Sequence, residues 1–389
     1  MAEYLRQFLP VVLASFLVTV LTTPLFRRMS FAIGAVQKPD ARRVHTEPTA
    51  LLGGAAILLG FLAAMAVAWR THALAPVFDA SSIPLGVALG AVLMFGVGQL
   101  DDLRDVSPPA KIAGTVLAST VLSIAGVSII FFRIPFAGLL SLSPDMSTLL
   151  TVLWVIGMTT AINYIDGLDG LAAGIVAIAA LALILYCERL HHIGAIGPDN
   201  VGPVVAAAVL GACLGFLPHN FHPARIFMGD AGALLLGILM AAATVAVGGN
   251  TDAQFSGQTF FFFAPLFIPL VILGVPVFDT AFSILRRARR GMGVTVADKD
   301  HLHHRLMRLG HGQRRSVLIL WTWTVLLSAI VLYPTYNNGR GDLYIPFAVA
   351  AAGLVLFSMF GAGVGRGTDV EAPPPPAHAA RGDRTGDPG

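Results

Sequence analysis

Asn163, Asp166 and Asp169 recur at three-residue intervals in the stretch NYIDGLDGLAAG, which lies between two uncharged apolar runs. At this spacing the amide and both carboxylates could project toward one centre. Gly167 and Gly170 would let the backbone turn tightly and approach a ligand. The plainer alternative is a helix start with Asp169 as its N-cap. A second acidic group stands in QLDDLRD, where Asp101 and Asp105 share a helical face and Asp102 is adjacent. Neighbouring carboxylates repel and ask for a cation, by preference an oxygen-seeking one such as Mg2+ or Mn2+. In IFMGDAGALLLG, Asp230 stands between two glycines at the head of an apolar run. It could cap that helix, or hold a metal whose other ligands are phosphate oxygens.

Basic residues complement these acids. HLHHR groups His301, His303, His304 and Arg305. Its spacing matches no standard zinc pattern, whereas imidazoles beside a guanidinium suit a polyanion. RRARRGMG reads as an anchor on acidic membrane lipids. Cys187 and Cys213 lie in or beside apolar runs and read as small buried residues. Carboxylates for divalent ions, set beside cations for phosphates, are the parts of phosphoryl transfer. The competing reading is a multi-pass transporter with an acidic ion-coupling site. Against it, the polar motifs gather on one face rather than at the midplane, and no internal repeat is evident.

The elements that must carry these groups are membrane helices. Hydrophobic residues make up 56% of the chain and charged residues 12%, against about 25% charged in soluble domains. That balance excludes an ordinary soluble protein. Spans of about 20 apolar residues are expected near 8–26, 50–69, 83–100, 111–132, 148–165, 169–187, 201–217, 231–248, 260–284, 316–333 and 343–362. The expected fold is an all-α integral membrane protein, with one transferase domain over 1–362 and a disordered tail over 363–389. The first apolar run reads as a retained span rather than a signal peptide. The broken stretch RIPFAGLLSLSPDMS, 133–147, is expected to form a short hairpin or re-entrant piece. Lys and Arg concentrate in the loops after odd-numbered spans, which places those loops and the tail in the cytoplasm and the N-terminus outside. Every dense polar motif then falls at a span end on the cytoplasmic side. Asp279 stands apart, inside the ninth span after Pro276, and is expected to pair with a basic residue of the site.

Six motifs in chain order, KPDARRVHTEP, LDDLRD, NYIDGLDGLAAG, FMGDAGALLLG, VPVFDT and HLHHRL, resemble those of the polyprenyl-phosphate N-acetylhexosamine-1-phosphate transferases, of the glycosyltransferase family 4 type. The resemblance runs from about Lys38 to Leu306. HLHHRL is more similar to the group using simple UDP-N-acetylhexosamines than to the transferase that makes lipid I. The resemblance implies a bacterial inner-membrane enzyme that starts cell-surface polysaccharide assembly. It would use Mg2+, undecaprenyl phosphate and a UDP-N-acetylhexosamine, release UMP, and have no nucleic-acid partner; dimers occur in such enzymes. By motif it implies catalytic roles for Asp101, Asp102 and Asp166, and metal binding by Asp230 and Asn163. Asp101 would either attack the β-phosphate itself or orient a direct attack by the lipid phosphate. Asp169, Lys111, Arg43, His45, His301, His303, His304 and Arg305 would contact substrate. Gln37 stands where the family often has Asp, and Ala50 and Leu51 where it often has Pro-Arg. These departures touch the first loop, not the acidic core.

Overall fold

The fold comes from a computed structural model that describes residues 2–37, 48–134, 138–248, 274–289, 305–307, 309–337 and 344–360. Eleven helices account for most of them: α1 (Leu9–Ile33), α2 (Gly53–Arg70), α3 (Ile83–Arg104), α4 (Pro108–Ile124), α5 (Pro144–Ile165), α6 (Leu171–His192), α7 (Gly202–Asn220), α8 (Gly229–Gly248), α9 (Gly274–Arg289), α10 (Gln313–Tyr336) and α11 (Tyr344–Phe360). Eight helical segments are long and apolar enough to cross a membrane, those of α1, α2, α3, α5, α6, α7, α8 and α10. The other expected spans fall on α4, α9 and α11, of 17, 16 and 17 residues among those described. The fourth expected span stops at Ile124 instead of 132, because Gly126 turns the chain at φ +105° and a strand follows. That strand, β3 (Phe131–Ile134), pairs antiparallel with β4 (Gly138–Ser141) and forms the expected hairpin. A second ribbon pairs β1 (Val36–Gln37) with β2 (Thr49–Ala50). Cys187 and Cys213 are free and buried.

A helix that is apolar all round belongs inside a bundle. α8 obeys this rule: every residue from Ala231 to Gly248 is buried, and α2, α3, α5, α6 and α7 surround it. Within this apolar packing, the Trp154 indole N–H of α5 donates to Thr244 Oγ1 of α8 at 3.0 Å. α1 is an outer helix with two faces. Leu9, Leu13, Leu17, Leu21 and Leu25 are exposed at four-residue spacing, as a lipid-facing row would be, while Ser15, Thr19 and Thr23 are buried. Ser15 Oγ donates to the Ala208 carbonyl at 2.7 Å. Gly211 and Gly215 of α7 let the α1 backbone come against them, since a Cβ at either would run into carbonyls of Val12 or Phe16.

One short connection sets the site. The segment Ile226–Met228 runs beside the end of β2: Ala50 bridges Ile226, and the Phe227 N–H donates to the Ala50 carbonyl at 2.8 Å. The Gly53 and Gly54 N–H groups then donate to the Phe227 and Met228 carbonyls, each at 3.0 Å. The first orphan N–H groups of α2 are thus satisfied by the segment that leads into α8. The heads of the two helices are held side by side.

Candidate active site

The acidic pair lies inside the last turn of α3 and not beyond the span. The helix continues to Arg104 and closes at Asp105, whose φ is +49° and whose N–H donates to the Asp101 carbonyl. Asp101 Oδ1 accepts the Val106 N–H at 2.9 Å, which folds the chain back into α4. Lys111, in the first turn of α4, brings its Nζ to 2.5 Å from Asp101 Oδ2 and to 2.5 Å from Asp230 Oδ2. Asn163, in the last turn of α5, lies beside the Asp230 carboxylate. Four helix ends therefore deliver Asp101, Lys111, Asn163 and Asp230 to one point, from positions far apart in sequence.

Asp102 points elsewhere from the same turn. Its Oδ1 accepts the Asp230 N–H at 2.8 Å and its Oδ2 the Ala231 N–H at 3.0 Å. Asp230 therefore does not cap α8; its own N–H is capped from α3. Asp166 follows the last residue of α5 and lies outside the spans. Its carboxyl is pushed up to about 8, chiefly by loss of water and then by the negative charges of Asp230, Asp102 and Asp169. Folding thus favours the protonated form between the ordinary carboxylate range and pH 8. Stability from this group is complete in acid and is lost as pH rises through about 8. In EDTA, thermal unfolding should move to lower temperature between pH 6.5 and pH 9, and Asp166→Asn should flatten that slope; equal slopes would rule this origin out.

α5 ends at Ile165, where the expected span ends, so Asn163 stands in its last turn and Asp166 and Asp169 in the turn that follows. Asn163 turns to Asp230, while Asp169 crosses to the loop between α7 and α8. Asp169 is only 2% exposed. Its Oδ2 accepts from His222 Nδ1 at 2.8 Å and from the Ala224 N–H at 3.0 Å. It does not cap α6 either: Gly170, at φ +75°, occupies that position. The Gly170 N–H donates to Asn220 Oδ1, and Asn220 Nδ2 donates to the Ile226 carbonyl, both at 3.0 Å. Asn220 and His222 tie the two loops together, yet nothing in the sequence analysis assigns them. Their signal was the unexplained Asn and His of PHNFHPAR, one loop ahead of Asp230. Asp279 is buried on α9, and Arg305 is exposed. Arg43, His45, His301, His303 and His304 lie outside the described residues.

Among the described residues, no three acidic, histidine or cysteine side chains are close enough to hold an ion by themselves. That excludes a cage made of protein alone there. A divalent ion there would need ligands from outside the protein, such as the phosphate oxygens and water that commonly complete the octahedron of Mg2+. The arrangement sets a lysine cation against two carboxylates at the ends of helices long enough to span a membrane.

Residues 84–248 match the family described as glycosyl transferase family 4. That stretch contains Asp101, Asp102, Lys111, Asn163, Asp166, Asp169 and Asp230. The decaprenyl-phosphate N-acetylglucosaminephosphotransferase of Mycobacterium tuberculosis is 37% identical over 363 residues, covering 90% of this chain and 88% of that protein. A Bacillus subtilis protein described as a probable undecaprenyl-phosphate N-acetylglucosaminyl 1-phosphate transferase is 34% identical over 327 residues, covering 82% and 85%. The phospho-N-acetylmuramoyl-pentapeptide-transferase of Desulforudis audaxviator is 32% identical over 353 residues, covering 83% and 98%.

Proposed function

The chain belongs to the polyprenyl-phosphate N-acetylhexosamine-1-phosphate transferases of glycosyl transferase family 4, and from that premise we propose that it moves N-acetylglucosamine-1-phosphate from UDP-N-acetylglucosamine to undecaprenyl phosphate or its decaprenyl counterpart. The products are a lipid-linked diphosphate sugar and UMP, and the step begins a cell-surface polysaccharide. The observation that carries this reading is the meeting of Asp101, Lys111, Asn163 and Asp230 at four helix ends. A lipid phosphate can reach such a point from the bilayer and a nucleotide sugar from the cytosol. In this reading about eleven spans place that face and the tail in the cytoplasm, with the N-terminus outside.

Asp230 and Asn163 are the residues that would hold Mg2+, which when bound neutralises charge on the phosphate oxygens. Lys111 supplies a fixed positive charge to the diphosphate. Asp101, fastened by Val106 and Lys111, orients the lipid phosphate. A phosphate monoester already carries anionic oxygen at neutral pH, so direct attack is favoured over a phosphoenzyme. A lipid phosphate oxygen bonds to the β-phosphorus, the bond from that phosphorus to the bridging oxygen breaks, and UMP leaves with the electron pair.

The test uses purified protein in detergent with polyprenyl phosphate, Mg2+ and a panel of radiolabelled UDP-sugars. Label should pass into the lipid phase from UDP-N-acetylglucosamine, with equimolar UMP, and EDTA should stop it. Folded protein that transfers no label from any sugar would defeat this reading, and a liposome uptake assay would then examine ion-coupled transport.

A further inference from the structure

We propose that Asp102 is a positioning residue: from α3 it caps the N-terminus of α8 and thereby holds Asp230 in line with Asp101 and Lys111. This rests on the function proposed above only in what Asp230 is positioned for. The first N–H groups of any helix lack partners within it. Ordinarily a Ser, Thr, Asn or Asp just before the helix accepts them. Here the preceding residue is Met228, which carries no oxygen, and α8 opens on Gly229, which has no side chain. The acceptor comes instead from 128 residues away, and each of its oxygens takes one of the two amides. A carboxylate at a helix N-terminus also meets the favourable end of the macrodipole.

The seat around this cap is built for close contact. Gly229 adopts φ +67°, and a Cβ there would run into the Asp102 carboxylate. A Cβ on Gly98, one turn before Asp102, would lie 2.5 Å from Ala231 Cα and 2.6 Å from the Asp230 carbonyl oxygen. A Cβ on Gly54 of α2 would lie 2.5 Å from the Gly232 nitrogen. Glycines on three sides thus let two neighbouring helices press on the first turn of α8. The adjacent acids divide the work. Asp101 faces Lys111 and the point of convergence, and Asp102 faces backbone.

The test compares wild type, Asp102→Asn, Asp101→Asn and Gly98→Ala, each verified as monodisperse in detergent. Asp102→Asn keeps the shape but sets an amide N–H2 against one of the two donors. Gly98→Ala keeps every carboxylate and pushes α3 off α8. Backbone amide exchange is read by mass spectrometry over peptides spanning 226–240. The first-turn amides of α8 should exchange roughly tenfold faster or more in Asp102→Asn and in Gly98→Ala, and at the wild-type rate in Asp101→Asn. Transfer should fall in kcat with KM for the lipid little changed. Adding Asp102→Asn to an Asp230→Asn background should reduce residual transfer no further, a coupling that general loss of stability does not produce. Wild-type protection of these amides in both Asp102→Asn and Gly98→Ala would overturn the proposal, and loss of transfer in Asp102→Asn alone would then mean that Asp102 acts on the reacting groups directly. Should wild type itself transfer nothing, the functional reading fails, and the exchange rates still decide the cap.

Discussion

Asp230→Ala should lower kcat/KM for sugar-phosphate transfer by on the order of 10²–10³-fold or more, while the midpoint of thermal unfolding moves by only a few degrees. The separation of these two effects follows from which atoms do what. The Asp230 side chain meets Lys111 and Asn163 and projects toward the place where phosphates would bind. Its backbone N–H, not its carboxylate, is what Asp102 holds, so α8 keeps its cap when the side chain is shortened. The lysine keeps Asp101 as a partner. The substitution therefore removes charge from the reacting centre without opening the bundle. The check is steady-state transfer measured beside a thermal melt of the same preparation. Equal proportional losses in both would mean that Asp230 is a stabilising residue and that the centre has been misplaced.

Asp169→Ala should reverse that pattern, costing about 2–4 kcal/mol of stability and reducing activity as a consequence. Asp169 is almost wholly buried, and its carboxylate holds the His222 ring and the Ala224 N–H. Truncation leaves two donors without their acceptor in a place water enters with difficulty. The His222 ring, itself 34% exposed, can turn toward water and recover part of the loss, which keeps the expected cost moderate. Asn220 would still bind the loops through Gly170 and Ile226, so the protein should fold at low temperature. A melt at equal detergent concentration measures this directly. A variant as stable as wild type, with a higher KM for the nucleotide sugar, would mean that Asp169 binds substrate and does not tether the loop.

Much of the architecture was legible because membrane solvent makes the rule simple. Stretches of apolar residues long enough to span had to become helices, and α2, α3, α5, α6, α7 and α8 formed close to the expected places. The acids of QLDDLRD and FMGDAG were legible as one group because charge at a span end demands a partner. Their division of labour was not. Adjacency made Asp101 and Asp102 look alike, yet on a helix they point about 100° apart, one to a lysine and one to an amide pair. Asp169 was legible as an acid in a Gly-rich turn between two spans, whereas its contacts with His222 and the Ala224 N–H were not. His222 and Asn220 went unassigned because their partners lie across the bundle, and spacing along the chain carries no sign of them.

The three glycines around the head of α8 have a consequence for how such a protein can change over generations. Gly54, Gly98 and Gly229 lie on different elements, and each is filled by backbone or by the Asp102 carboxylate, not by a side chain that could be trimmed. No compensating substitution nearby can make room for a larger residue at one of them. The three positions therefore behave as a single heritable unit spread along the chain. Where the neighbour is a side chain the constraint is looser, as at Gly114 of α4, where a Cβ would meet the Val97 side chain, which can shift or be trimmed.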